Sequence, residues 1–356
     1  MKDTHIIETT INGRPNDMKS LGCILVTGGC GYIGSHVVRH LSEGGRKVVV
    51  IDNLSTGFEA NLVNNEILYK VDLANEREVD RIIKKHRIET VIHFAASIVS
   101  PESILKPIEY YENNVVNTVK LLKSCLANGV KNFIQSSTAA VYGPSKGGKY
   151  TESSLILPQT PYGQSKLMCE KIIADVCRSF DLNAVVLRYF NVAGADPLGR
   201  MGQRSPNATH LIKVSLNAAL GIDNKVKVYG NDYDTRDGSC IRDYIHVEDL
   251  SEAHVKSIEF LERNGGFELF NCGYGKGYTV NEVISAVSKV SGNPIISVPS
   301  DRRPGDLPVV IADNSKICKE LGWSYQYDNL EYIVETALNW ERKLRDEGGV
   351  KNKSAI

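Results

Sequence analysis

Tyr162 and Lys166 stand four residues apart in Thr160-Pro161-Tyr162-Gly163-Gln164-Ser165-Lys166. Thr followed by Pro reads as an N-cap and a first-turn proline, so a helix starts there and the two side chains share one of its faces. An ammonium beside a phenol favours the ionised form and moves its pKa down from ~10, where a tyrosine is useless as a base at neutral pH. By themselves two such residues are a common surface accident. Thr138, a hydroxyl 24 positions upstream at the end of an apolar run, and a phosphate-binding signature further upstream turn the pair into a candidate general base.

That signature is the run CILVT (23–27) leading into Gly28-Gly29-Cys30-Gly31-Tyr32-Ile33-Gly34, followed by SHVVRHLSEGG, a helix that stops at Gly44-Gly45. Glycines 28, 31 and 34 serve a tight turn, a close approach of backbone to a pyrophosphate, and close helix-to-strand packing. The helix N-terminus offers its free N–H groups to the anion. Asp52 closes the next apolar run, 18 positions after Gly34. Its carboxylate can accept hydrogen bonds from an adenosine ribose and would repel a 2′-phosphate, so the expected cofactor is NAD, not NADP. The plain alternative is an Asp that only caps the turn DNLSTG. Asp72, ending a third run, is an adenine contact by position alone. A cationic nicotinamide near Tyr162 would push the phenol in the same direction as Lys166 does.

The elements that must position these residues alternate along the chain. Apolar runs at 23–27, 48–52, 67–72, 90–95, 132–137 and 184–189 are separated by amphipathic stretches of helical length. Strands spaced by helices imply a parallel sheet covered on both faces, and the class expected is α/β, a Rossmann-type doubly wound parallel sheet. Past Asn191 the rhythm breaks, and a smaller, irregular α/β substrate-binding lobe is expected. Helices are placed in it at about 207–220, 248–263, 279–291 and 328–346, the third opened by a Thr279/Glu282 capping box. The division expected is an extension at 1–20, a dinucleotide-binding domain at 21–190 to which 242–272 returns, a substrate lobe at 191–241 and 273–347, and a tail at 348–356.

The 356 residues exceed the ~250–300 at which one core stops growing, which suits two lobes. Basic and acidic residues balance at 42 each, leaving no cationic excess to hold a nucleic acid. No apolar run approaches the ~18 residues of a membrane span. Eight scattered cysteines without a CxxC pair support neither a zinc site nor a disulfide framework, so no metal is expected and a reducing cytoplasm fits. Residues 1–20 lack the apolar core of a secretory signal, and Met18 offers a second start.

TGGCGYIG (27–34), NFIQSSTAAVYG (132–143), TPYGQSK (160–166), LRYFNVAGA (187–195) and IRDYIHVEDL (241–250) together resemble the extended short-chain dehydrogenase/reductase family. Within it, IRDYIHVEDL and RRPGDLP (302–308) are most similar to the UDP-glucose (UDP-galactose) 4-epimerase branch, over about residues 21–340. The resemblance implies that Tyr162 is the base and Lys166 its electrostatic partner and a ribose ligand. Thr138 takes a hydroxyl position usually held by Ser, and keeps the O–H. NAD contacts are implied at Gly28, Gly31, Tyr32, Ile33, Gly34, Asp52, Asn53, Asp72, Leu73, Phe94, Ala95, Asn113, Lys166 and Tyr189.

On the substrate side the resemblance puts Asn191, Arg242 and Arg303, with Asp306 as a partner, on the diphosphate. It puts His210 and Leu211 along the nucleotide, Tyr229 near the uracil, and Val310 in the wall of the sugar pocket. Ile98 stands where many epimerases carry a lysine, and His210 where many carry Asn. Dehydratases of the family place acidic residues just after the hydroxyl residue; Ala139-Ala140 cannot transfer a proton, which disfavours dehydration.

The activity implied is reversible inversion at carbon 4 of a UDP-hexose, UDP-glucose to UDP-galactose, through a 4-keto sugar with NAD tightly bound. UDP-N-acetylglucosamine is an alternative or additional substrate, since Val310 is small where a Tyr excludes bulky 2-substituents in related epimerases. A net NAD-dependent dehydrogenase or reductase is the competing reaction class. A homodimer in the cytoplasm is expected.

Overall fold

The computed structural model describes residues 22–353 apart from 146, 206–208 and 224. The extension read at 1–20, and residues 207 and 208 of the stretch read as helical, lie outside the described residues. Seven strands form one parallel sheet: β1 Cys23–Thr27, β2 Val48–Asp52, β3 Ile67–Lys70, β4 Ile88–His93, β5 Asn132–Thr138, β6 Asn183–Tyr189 and β7 Phe267–Cys272. Their order is β7-β6-β5-β4-β1-β2-β3, with β1 between β2 and β4. The order reverses there, so the crevice beyond the carboxyl end of β1 is where such sheets bind ligands.

Both faces of the sheet are apolar because both are covered. Ile24 and Val26 pack with Val37, Val38 and Leu41 of α1 (Tyr32–Glu43), whereas Leu25 between them packs in a second cluster. That second cluster includes Val79 and Ile82 of α2 (Glu76–His86), Leu121 and Leu122 of α3 (Asn117–Ala127) and Ile173 of α4 (Pro161–Ser179). Alternation of side chains across the strand is the cause.

Two of the expected strands end early. β3 stops at Lys70 and β4 at His93, so Asp72, Phe94 and Ala95 stand in the turns beyond the sheet edge. The N–H groups of Phe94 and Ala95 both donate to the Thr27 carbonyl, at 2.9 and 3.2 Å, which bends the chain across the end of β1. The seventh strand, β7, was not among the apolar runs read from the sequence.

The remaining elements are short strands and helices. α5 (Leu211–Ala219), α7 (Val280–Ser291) and α8 (Leu330–Lys353) pack on one another, while α6 (Val247–Asn264) lies against α1 under the main sheet. The Thr279 capping box is formed: its Oγ1 accepts from Glu282 N at 3.0 Å and Glu282 Oε2 accepts from Thr279 N at 2.9 Å. A four-stranded sheet joins Tyr278–Thr279, Ile241–Arg242, Val309–Ala312 and Lys149–Tyr150. Asn191–Ala193 pairs with Tyr244–His246, and Val226–Tyr229 with Ser297–Ser300. Among the described residues no helix is long and apolar enough to cross a membrane.

Candidate active site

The N-terminus of α4 is held by hydroxyls. Thr160 Oγ1 accepts from Gly163 N at 3.3 Å, and Ser103 Oγ accepts from Tyr162 N at 3.1 Å. Ser100 Oγ donates to Thr160 Oγ1 at 3.1 Å, so the short helix Ser100–Leu105 clips onto the first turn of α4. At Gly163 the fit is closest: a Cβ there would lie 2.3 Å from the Ala140 carbonyl oxygen. This contact lets α4 ride directly on the turn after Thr138 and brings Tyr162 to the end of β5.

Tyr162, Lys166 and Thr138 are all buried together there. Lys166 Nζ donates to the Ser136 carbonyl at 2.9 Å, and Thr138 Oγ1 accepts from Ala140 N at 3.1 Å. The electrostatics differ from the expectation that Lys166 lowers the Tyr162 phenol. Burial pushes the phenol up, with the Thr138 hydroxyl acting downward by hydrogen bonding. Burial likewise brings the Lys166 ammonium down, to about 8. Both charged forms are disfavoured because the same low-dielectric surroundings cover both groups. Tyr189, next to this pair, hydrogen-bonds Ser136 Oγ through its hydroxyl.

The crevice at the end of β1 fits a dinucleotide. Gly28 has φ +70° and a Cβ on it would lie 2.7 Å from Ala95 N, while a Cβ on Gly34 would lie 2.3 Å from Gly28 O. The loop is therefore as tight as a main chain allows, and it delivers α1 with no side-chain cap and no acidic residue in its first turn. Such an N-terminus suits a pyrophosphate; Gly31, Tyr32, Ile33 and Gly34 line it. Tyr32 also ties the loop to the segment after Asn191–Ala193, its hydroxyl donating to Gly194 O at 2.6 Å.

Asp52 accepts from Cys30 N at 2.9 Å and from Leu54 N at 2.8 Å, one bond per oxygen. It does cap its turn, and an ionised carboxylate still has acceptor sites left for a ribose. Asn53 Nδ2 donates to Asp72 Oδ2 at 2.8 Å, so the two residues expected near the adenine are tied together, and Leu73 after them is buried. Phe94 packs its ring 4.8 Å from that of His254. Asn113 lies in a π-helical turn, Glu112–Val116, and donates to Ser97 Oγ at 2.9 Å. Ile98 is 55% exposed beside it. These residues fit NAD.

The substrate-side residues form a second group. The Arg303 guanidinium lies 3.7 Å from the centroid of the Tyr229 ring, a cation–π stack. Arg242 donates to Leu307 O at 2.8 Å and faces Asp306 at 3.5 Å. The loop that carries Arg303 and Asp306 comes close to the segment that leads into α4: a Cβ on Gly305 would lie 3.2 Å from Gln159 Cβ, two residues before Pro161. Asn191 Nδ2 donates to Asp243 O at 3.1 Å. His210, the N-cap of α5, is exposed and pairs with Gln203 at 2.9 Å, and Leu211 is half-buried after it. Val310 stands beside Arg242 in the strand register and packs on the cluster of Tyr142, Leu167 and Phe190, of which Leu167 follows Lys166 on α4.

Sequence reasoning missed the residues that hold this site from behind. Asp243, fully buried, accepts from Tyr274 N, Gly275 N and Ala312 N at 2.8–3.1 Å, pinning three segments around Arg242. Burial raises its carboxyl to about 6 even so. Asn114 links Ser97 to Ser165 of α4, at 2.8 and 2.9 Å. The only local signal for them was polar residues inside otherwise apolar segments.

The comparisons with known proteins agree with this geometry. A UDP-glucose 4-epimerase of Azospirillum brasilense is 48% identical over 92% of this chain and 94% of its own length. The crystal structure of UDP-glucose 4-epimerase from Bifidobacterium longum in complex with NAD+ and UDP superposes with a TM-score of 0.87 at 38% identity, covering 91% of this chain and 99% of that one. The UDP-Glc/GlcNAc 4-epimerase from Campylobacter jejuni gives 0.80 at 42% identity over 90% and 99%. Residues 24–273, from the first sheet strand to just past the last, match the NAD dependent epimerase/dehydratase family, and with the dinucleotide crevice and the buried tyrosine at its mouth in place, the chain belongs to that family.

Proposed function

We propose that the protein is an NAD-dependent isomerase that inverts carbon 4 of UDP-hexoses, interconverting UDP-glucose and UDP-galactose. The observation that carries this reading is the buried Tyr162, Lys166 and Thr138 at the mouth of a dinucleotide crevice, followed by Ala139-Ala140, which offer no second acid or base. A 4-epimerisation moves one proton and one hydride and returns both, so one base suffices.

Bound NAD would supply a hydride acceptor, and then donor, for carbon 4. Tyr162 takes the O4 proton and gives it back, Thr138 donates a hydrogen bond to the phenolate, and Lys166 sets the field that stabilises it. Arg242, Arg303 and Asn191 grip the diphosphate and Tyr229 the base, with His210 and Leu211 along the nucleotide. The sugar must turn over between the two hydride transfers, so the grip belongs on the nucleotide rather than on the hexose. The working division is a cofactor unit at 21–190 with 242–272, and a substrate lobe at 191–241 and 273–347.

A second substrate class is favoured by Val310. Its small side chain by the catalytic cluster leaves room for an acetamido group, and the similar Campylobacter jejuni protein is named for both sugars. The chain is also proposed to work as a homodimer in the cytoplasm. Leu105, Ile108 and Val116 on the helical turns packed against α4, and Met168 on α4 itself, are exposed apolar side chains suited to a second copy. Ile108→Glu is expected to yield monomers by sedimentation.

The test is incubation of the purified protein with UDP-galactose, and separately with UDP-N-acetylglucosamine, without added NAD, followed by chromatographic separation of the sugars. Epimer formed with no net NADH supports the reading; stoichiometric NADH or an unchanged sugar overturns it.

A further inference from the structure

Behind Thr138 and Lys166 lies a buried polar network to which the epimerase reading assigns no role. Tyr162, Lys166 and Glu170 follow at intervals of four on α4, so Glu170 continues the catalytic stripe by one turn. Arg188 of β6 grips both its oxygens, Nε to Oε1 at 3.0 Å and Nη2 to Oε2 at 2.6 Å, and each residue is 4% exposed. Ser137 Oγ donates to Glu170 Oε1. Arg188 Nη1 donates to the Tyr142 hydroxyl at 3.0 Å, and that hydroxyl donates to Asn271 Oδ1 of β7 at 2.6 Å.

The network brackets Thr138 in the chain. Ser137 precedes it, Tyr142 follows the turn Ala139–Val141, and in the β5–β6 register Ser137 and Thr138 stand opposite Arg188 and Tyr189. Neighbouring strand residues face opposite sides, so the anchor on Ser137 sets how far Thr138 projects toward Tyr162. A buried ion pair is seldom better for stability than apolar packing of the same volume, and its position directly behind a catalytic hydroxyl gives a functional reason for it.

On the epimerase reading, we propose that Glu170, held by Arg188, is a positioning residue that fixes the Thr138 hydroxyl through Ser137 and acts on Lys166 one turn earlier on α4. The groups around Lys166 are Tyr162, Cys169 and Glu170 on its own helix, the Ser136 carbonyl of β5, and His93 of β4. Burial holds His93 neutral, down to about 3, and pushes the Tyr162 phenol and the Cys169 thiol up. Glu170, paired with Arg188 of β6, is the acid among these groups. Its field acts upward on Lys166, against the burial that brings the ammonium to about 8.

Steady-state kcat and KM with UDP-galactose, followed from about pH 6 to about pH 10, test this on the holoenzyme. Glu170→Gln is expected to move the alkaline fall in kcat to lower pH by about one unit with KM within about threefold, because the ammonium is lost earlier. Ser137→Ala leaves the ion pair intact and is expected to lower kcat roughly tenfold at unchanged KM, without moving the pH profile. Should Glu170→Gln not fold around an unpaired arginine, the double variant Glu170→Gln/Arg188→Met leaves no lone buried charge and is expected to shift the limb in the same direction by less, because the cation is removed with the carboxylate. An alkaline limb unmoved in the variant that folds, or a Ser137→Ala kcat within about twofold of wild type, overturns the proposal. Wild-type protein that does not turn over UDP-galactose refutes the epimerase reading instead, so the two failures are distinct.

Discussion

Gly163→Ala is the smallest change that should separate the base from its hydroxyl partner. The added methyl would sit 2.3 Å from the Ala140 carbonyl oxygen and 3.1 Å from its carbonyl carbon, with Pro158 Cβ at 3.2 Å. Non-bonded heavy atoms prefer about 3.5 Å or more, so α4 and the turn after Thr138 must part by about 1 Å. Neither can yield cheaply: Tyr162 N is tied to Ser103, Ala140 N to Thr138, and both backbones are packed. Overpacking of this kind costs about 1–3 kcal/mol, and a misplacement of 1 Å at a reacting group costs on the order of 10²-fold in rate. We expect kcat for UDP-galactose to fall about 10²-fold while KM changes little, since the residues proposed to grip the nucleotide lie on other elements. Thermal unfolding should fall by a few degrees. A folded variant with kcat within about threefold of wild type and unchanged thermal stability would show that the close approach of α4 to Ala140 is not what aligns Tyr162.

Three further outcomes are expected. Tyr162→Phe removes only the ionisable oxygen, and should retain fold and NAD content while losing turnover by ~10²–10⁴-fold; more than about a tenth of wild-type activity would contradict the role of base. Apoprotein should regain activity with NAD and not with NADP, because the Asp52 carboxylate at the end of β2 would repel a 2′-phosphate on the ribose and Asn53–Gly57 carries no basic residue; equal reconstitution by both sinks the argument. Val310→Tyr should abolish activity on UDP-N-acetylglucosamine and keep it on UDP-glucose, and equal impairment of both sugars would remove Val310 as the gate.

The parts of this molecule that were legible in the sequence are those whose physics repeats locally. The alternation of apolar runs with helical stretches pointed to the parallel sheet because hydrogen-bond geometry and burial impose periods of two and 3.6 residues on any chain. The start of α4 at Thr160-Pro161, the Thr279 capping box and the glycine turn before α1 are each decided within a few residues, and each is present as read. Even the pairing of Tyr162 with Lys166 is a local property of helix spacing.

Only the tertiary structure decided the rest, because its causes lie far apart in the chain. β7 pairs with β6 across more than seventy residues of intervening chain; the return of 242–272 was read from the sequence, but no local period marked Phe267–Cys272 as a strand or gave its partner. Arg188, an arginine within an apolar strand, has no reason to be buried until Glu170 reaches it from a helix. Arg242 with Asp306, and Arg303 with Tyr229, meet only when the loop 302–308 folds over the end of the sheet. The direction in which the Tyr162 phenol is moved was not legible for the same reason: burial by surrounding elements pushes it up, and how much water is excluded is a property of packing alone.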